Sequence, residues 1–276
     1  MSKAVLLFSG QGAQKVGMGQ DLVEAYPSAK ALFEKADSVL SRSLTDVMFN
    51  GPTEDLTRTR NCQPALFLHG LALLEILREK VPSLEPVAAA GLSLGEMTAH
   101  CAAGTFTFED GLKLVARRGQ LMDEACEANP GTMAAMIGGS DDDVARLAND
   151  CKVDVANLNC PGQTVLSGQE EGIDTAVSKA KEYGLRMGKK LKVAGAYHSR
   201  LMAGPKRSSE KHLPLQKSPN LKFRSFRIFS LHPQKAQMPS GPLSKIKSPA
   251  RCAGSNPSNC SANRVTTFSS NSGLGR

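Results

Sequence analysis

Residues 87–104, VAAAGLSLGEMTAHCAAG, set a run of small apolar residues, a serine between two glycines and a helix-forming stretch in direct succession. The order reads as strand, sharp turn and helix, which few folds accommodate. A turn of this kind strains the backbone of its central residue, and glycines are needed where strand and helix pack too closely for side chains. The arrangement is that of a nucleophile elbow, with Ser93 as candidate nucleophile. The helix that follows directs unpaired N–H groups at any anion formed on the serine. The competing reading of Ser93 is a plain helix N-cap, since a glycine-x-serine-x-glycine match has little weight by itself in a chain with 25 glycines.

The surrounding pattern supports an α/β chain. KAVLLF is a short β-prone run that stops at SGQG; helical periodicity follows over about 28–40 and again in PALFLHGLALLEILREK, where Pro64 suits a first helical turn. VAAAG is the next strand, and EMTAHCAAG and FEDGLKLVARRGQLMDEA are helices. Strands alternating with helices imply a largely parallel sheet covered on both faces. From about Gly131 the order changes: TMAAMIGG (strand), DDDVARLANDC (helix), VDVANLN and QTVLSG (strands), EGIDTAVSKAKEYG (helix) and RMGKKLKVAGA (strand). That is the β-α-β-β-α-β order of a ferredoxin-like unit. The expected division is a core from 1–130 and about 198–203, an insert over 131–197, and a tail over 204–276.

Charge separates the tail from the rest. From Gly204 onward there are 13 Lys/Arg against the single Glu210, together with 14 serines and 8 of the 15 prolines. The tail thus carries more than the whole formal charge of +8, leaving residues 1–203 at −4. The basic balance therefore indicates no nucleic-acid face on the fold. A segment of this composition cannot bury enough apolar surface to offset its ordering entropy, and disorder is expected. A basic nucleic-acid-binding arm is the competing reading, disfavoured by the lack of aromatic platforms.

The seven cysteines stand singly, without a C-x-x-C pair, as free thiols in a reducing compartment do. No apolar run reaches the ~18 residues that span a bilayer, and the opening apolar segment is too short for a signal peptide. The expectation is a soluble cytoplasmic protein with no membrane partner, or a plastid or mitochondrial one if a presequence precedes this chain.

A serine nucleophile needs a base, and the chain has five histidines. His100 lies seven residues along the same helix, about 10 Å from Ser93. His69 sits in an apolar helix as a packed or half-exposed core residue, while His212 and His232 fall in the tail. His198, in AGAYHSRLM where the chain returns from the insert, is left by elimination. No aspartate shows the same positional logic, so the reading is a dyad whose orienting group is unnamed. SGQGAQKVGMG is not a dinucleotide or phosphate loop, because Lys15 stands where a third glycine belongs and no G-K-[ST] follows. A glycine-rich turn there can instead supply one N–H of an oxyanion hole, opposite that of Leu94.

Together LLFSGQGAQKVGMG, NCQPALF, AAGLSLGEMTAH, ARRGQLMDEA, NLNCPGQTVLSG and AYHSRLM resemble, in order and spacing, the malonyl-CoA:acyl carrier protein transacylases of fatty acid synthesis. The acyltransferase domains of polyketide synthases are a looser match. The resemblance covers residues 4 to about 203 and implies a hydrolase-like α/β core carrying the ferredoxin-like insert. By position it implies Ser93 as the acylated nucleophile, His198 as its base, Gln11 and Leu94 as backbone oxyanion donors, and Gln63 as a pocket residue. Arg118 is implied as partner of the substrate's free carboxylate. Arg117 lies about 100° away around the helix, so only one of the pair faces a pocket. The implied partners are malonyl-CoA and acyl carrier protein, with no metal or redox cofactor, and the implied state is a monomer. The alternatives are a serine thioesterase or esterase, and an inactive truncated product.

Three features depart from the family pattern. Leu92 replaces a histidine before the serine, and FSGQG replaces FPGQG. After AYHSRLMA the expected helix, strands and late glycine-proline-glycine turn are replaced by the aberrant basic tail, which reads as an out-of-frame or mis-spliced continuation. In the family the group that orients the histidine belongs to that replaced segment.

Overall fold

The computed structural model describes residues 2–203 and 224–227. The chain opens with β1 (Ser2–Phe8) and passes through α1 (Gln20–Ala25), α2 (Pro27–Leu40), α3 (Leu44–Asn50) and α4 (Thr53–Thr57) into the long α5 (Thr59–Lys80). Strand β2 (Leu84–Gly91), α6 (Leu94–Ala102) and α7 (Phe108–Ala128) follow. The next six elements are β3 (Thr132–Ile137), α8 (Asp141–Asp150), β4 (Asp154–Cys160), β5 (Gln163–Gly168), α9 (Glu170–Lys179) and β6 (Met187–Lys190). A last strand, β7, spans Arg224–Arg227.

Two sheets result. In the first, β2 lies between β1 and β7, and both pairings are parallel. Pro86 has no N–H for the ladder, and the β1–β2 register slips beside it, so that Ala4 faces Pro86 while Val5 faces Ala88. The second sheet has the order β4-β5-β3-β6 with every pairing antiparallel and α8 and α9 packed on it, which is the ferredoxin-like arrangement expected from the sequence. The chain is therefore an α/β protein with a parallel-sheet core and a ferredoxin-like unit. A cluster that includes Met122 and Cys126 of α7, Met133, Val165 and Tyr197 joins the two.

Helix α5 is apolar on nearly every face, with Cys62, Ala65, Phe67, Leu68 and Ala72 fully buried, and such a helix must lie inside the fold. It packs against α2, α6 and α7. It also starts five residues earlier than its sequence suggests, placing Pro64 inside the helix rather than in its first turn. The proline ring leaves the Arg60 carbonyl without its usual donor. Nη2 of Arg42 supplies one at 3.0 Å. At the helix start, Asp123 of α7 accepts the backbone N–H groups of Thr59 (2.9 Å) and Arg60 (3.3 Å), as well as Nε of Arg60 (2.8 Å). A carboxylate at a helix N-terminus satisfies orphan donors and complements the dipole.

Other expectations shift in detail. The strand expected over RMGKKLKVAGA ends at Lys190, because β6 is an edge strand paired only with β3. After one further bond, from Leu191 N–H to Met133 O, the chain leaves the sheet. The tail expected to be disordered lies outside the described residues, except for Arg224–Arg227. These form a strand with no signature in the sequence, since four residues carry no usable periodicity and the pairing comes from Ala88–Gly91 of β2. No helix among the described residues is long and apolar enough to cross a membrane.

The junction of β2 with α6 is closed by backbone contact. A Cβ on Gly91 would collide with the Gly95 backbone, and one on Gly95 with the Phe8 and Ser9 carbonyls at the end of β1. The Gly95→Ala substitution is expected to destabilise the protein by about 3 kcal/mol, the upper range for overpacking, because the obstruction is main chain. Thermal and denaturant melts would measure it; an unchanged stability would show that the junction can open.

Candidate active site

Ser93 stands between β2 and α6 with φ 54° and ψ −102°, outside the ordinary left-handed well. A non-glycine residue holds such a conformation only when its surroundings fix it. Here the Gly91–Gly95 contact does so. Ser93 occupies the N-cap position yet makes no capping bond with its side chain, which decides against the plain N-cap reading. Its Oγ lies instead 3.0 Å from Nε2 of His198 and accepts a hydrogen bond from Nη2 of Arg118, also at 3.0 Å. Residues 93, 118 and 198 come from α6's cap, α7 and the segment after β6, so only the fold brings them together.

His198 is also at positive φ, 60°. The chain around it is tied locally and at distance. Ser199 Oγ donates to Ala196 O at 2.6 Å and accepts from Leu201 N–H at 3.2 Å. Arg200 donates to Asp154 of β4 through its backbone N–H and its Nε and Nη2 groups. His198 thus reaches Ser93 from a segment anchored on the ferredoxin-like unit.

Arg118 turns inward, whereas Arg117 is exposed and lies 3.9 Å from Glu124, as the 100° separation requires. Nη1 of Arg118 donates to Oε1 of the buried Gln63 at 2.5 Å, and Gln63 in turn approaches Met122 Sδ at 3.2 Å. Burial lowers the Arg118 pKa, opposed by the charge of Glu96. His198 is pushed down to about 4, first by burial and then by the Arg118 charge. The imidazole is consequently neutral through the ordinary pH range and able to accept a proton.

Ser93 and His198 line a cavity of about 250 Å³ together with Gln11, Leu92, Asn157 and Lys192. Leu94 begins α6, so its N–H belongs to the first turn, whose donors lack partners within the helix. Gln11, in the loop after β1, lines the same cavity as the serine, and Leu94 follows the serine directly in the chain. The remaining histidines behave as their sequence contexts suggest. His69 is lowered by burial and lines a separate small cleft beside β1, and Nδ1 of His100 lies 3.2 Å from Thr105 Oγ1. His212 and His232 lie outside the described residues. Among the described residues no cluster of three or more His, Cys, Asp or Glu is placed to hold a metal ion.

Two contributors had no role in the sequence reading. Tyr197 is 5% exposed, and its hydroxyl is 2.6 Å from Thr59 Oγ1. Asp123 organises the start of α5, which carries Gln63. Both lie within recognisable motifs, AYHSRLM and ARRGQLMDEA, and that is the one signal that could have drawn attention to them.

The acyl transferase domain family matches residues 5–267. The chain is 42% identical over 207 residues to the malonyl CoA-acyl carrier protein transacylase of Bacillus subtilis (strain 168). That match takes in 73% of this chain and 65% of the relative, so the chain spans just under two thirds of the relative's length. The acyl-carrier-protein-S-malonyltransferase of Bartonella henselae superposes with a TM-score of 0.70 at 37% identity, covering 76% of this chain and 68% of that one. A malonyl-transacylase in complex with a type II polyketide acyl-carrier protein superposes with a TM-score of 0.71 at 33% identity, over 76% and 68% of the respective chains.

Because burial and Arg118 both hold the imidazole neutral, a proton NMR titration of the folded protein should find His198 uncharged until the pH falls toward about 4. Arg118→Leu removes the second cause, so the midpoint should move upward, toward the ordinary histidine value of about 6.5. A midpoint near 6.5 in the parent chain would contradict the buried geometry.

Proposed function

Because the chain belongs to the acyl transferase family, in its malonyl-CoA:acyl carrier protein transacylase branch, we propose that it transfers malonyl groups from malonyl-CoA to the phosphopantetheine thiol of acyl carrier protein through a seryl ester. The observation that carries this reading is the inward Arg118 guanidinium, 3.0 Å from the same Ser93 Oγ that His198 engages. A planar cationic fork beside a nucleophile suits an acyl group that ends in a carboxylate, which it can bind through two parallel hydrogen bonds. An acetyl group or neutral ester returns neither bond. Gln63 accepts a hydrogen bond from the other arm of the fork with its amide oxygen.

In the first half-reaction Nε2 of His198 takes the Ser93 proton while Oγ attacks the thioester carbonyl. Negative charge collects on the carbonyl oxygen, where the N–H groups of Leu94 and Gln11 stabilise it. The carbon–sulfur bond then breaks, and the imidazolium returns its proton to the departing coenzyme A sulfur. The second half-reaction repeats these steps with the carrier thiol as attacking group and Ser93 as leaving group. Protons and the acyl group balance throughout, so the proposed cycle uses no metal or redox cofactor.

A specific observation favours one other reading, an inert chain. Among the described residues nothing bonds Nδ1 of His198, which is seen only with Ser93. Incubation with labelled malonyl-CoA discriminates the two. The expected result is a stable adduct on Ser93 that discharges to carrier thiol faster than to water, absent in Ser93→Ala and formed about 10²–10⁴ times more slowly in His198→Ala. No adduct in the parent chain would establish the inert reading, and discharge to water at the thiol rate would identify a hydrolase.

Arg118→Ala should cost about 1.5–3 kcal/mol, or roughly tenfold to 150-fold, in kcat/KM for malonyl thioesters. Acetyl thioesters should be far less affected. An unaltered malonyl-to-acetyl ratio would remove the carboxylate role from Arg118.

A further inference from the structure

With no partner on Nδ1 among the described residues, the His198 ring is held by whatever holds its neighbours. Ser199 and Arg200 fix the chain on one side. On the other side the fixed point is Tyr197, whose hydroxyl and Thr59 Oγ1 share a buried hydrogen bond of 2.6 Å. Gln11 lines the same cavity as Tyr197, and Cys126 packs in the same buried cluster. Thr59 is the first residue of α5, held there by Asp123, and Gln63 lies one turn further along that helix. A single phenol oxygen therefore joins the segment carrying His198 to the helix carrying the partner of Arg118, beside the cavity that Gln11 also lines.

Packing alone does not call for this oxygen. A phenyl ring would fill nearly the same space, whereas a buried hydroxyl is tolerated only with partners supplied. Backbone at φ 60°, as at His198, also needs surroundings that over-determine it. We infer that the Tyr197 hydroxyl is a positioning group, which sets the His198–Ser93 distance. It does not touch the reacting atoms. Burial pushes the phenol up to about 12, so it stays protonated while the enzyme works. The inference depends on the proposed function only for the identity of the acyl group, since the thing positioned is the serine–imidazole pair.

Two readouts on the full chain test it: steady-state malonyl transfer, and the rate of Ser93 modification by a phosphonofluoridate. In the latter the Oγ–phosphorus bond forms, fluoride leaves and His198 takes the serine proton. Tyr197→Phe should lower both kcat and the labelling rate about tenfold to 100-fold, the scale of a misplaced reacting group, with KM changed less than about twofold. Thr59→Val should reproduce this loss and Thr59→Ser, which keeps a hydroxyl, should avoid it. The double variant Tyr197→Phe with Thr59→Val should be no slower than either single one, because one interaction is removed once. Three results overturn the inference: rates in Tyr197→Phe within about twofold of the parent, losses that multiply in the double variant, or a parent Ser93 that labels no faster than in His198→Ala. If Tyr197→Phe does not fold, the two Thr59 variants decide. A parent that labels at Ser93 but transfers no malonyl would defeat the transacylase reading, while labelling still decides the positioning one.

Discussion

The site depends on how closely the first turn of α6 approaches the ends of β1 and β2. Gly91 and Gly95 allow main chain to meet main chain there, and any side chain at either place would push the helix away. That approach leaves Ser93 no ordinary conformation. The chain turns through φ 54° and ψ −102°, which lifts Oγ away from the N–H groups it would otherwise cap. A serine that cannot cap its own helix is available to an imidazole. The same turn leaves the first donors of α6 beside the serine oxygen, so the proposed nucleophile and the proposed oxyanion support share one cause.

Nothing else in the site is local to that turn. His198 arrives from beyond the ferredoxin-like unit and the Arg118 guanidinium from the middle of α7. Thr59 and Tyr197 meet across 138 residues of sequence. The cluster of Met122, Cys126, Met133, Val165 and Tyr197 has to pack before the distances of about 3 Å around Ser93 can be kept. Cohesion between the two sheets is in this sense part of the chemistry, since a small displacement of one against the other would part His198 from Ser93.

How much of this could be read beforehand follows from the range of each interaction. The elbow was legible because strand, turn and helix adjoin and glycine has a steric reason on each side. Helical geometry made it legible that only one of Arg117 and Arg118 faces inward, and the resemblance of ARRGQLMDEA to its family pointed to Arg118. The start of α5 was not, because a buried carboxylate on α7 and a guanidinium from the loop after α2 together override the usual effect of Pro64. Strand β7 was not either, since its four residues are defined by the edge of β2 rather than by their own pattern. Tyr197 is the clearest case: its ring reads as ordinary core, and the importance of its oxygen appears only when Thr59 stands opposite.

The proposed chemistry also explains why a buried cation beside a base does not defeat the base. Burial and the Arg118 charge disfavour protonation of His198, which leaves the imidazole neutral but weakly basic. The guanidinium meanwhile engages Ser93 Oγ. A carboxylate that binds Arg118 would act on both conditions at once. It competes for the donor that Oγ accepts, and its negative charge offsets the repulsion that holds the imidazole pKa down. On the proposed function, the imidazole would therefore become a stronger base with a malonyl group in place, and an acyl group without a carboxylate would produce neither change. Selectivity on this view resides in the rate of attack as much as in binding, because the interaction that recognises the acyl group also sets the state of the pair that attacks it.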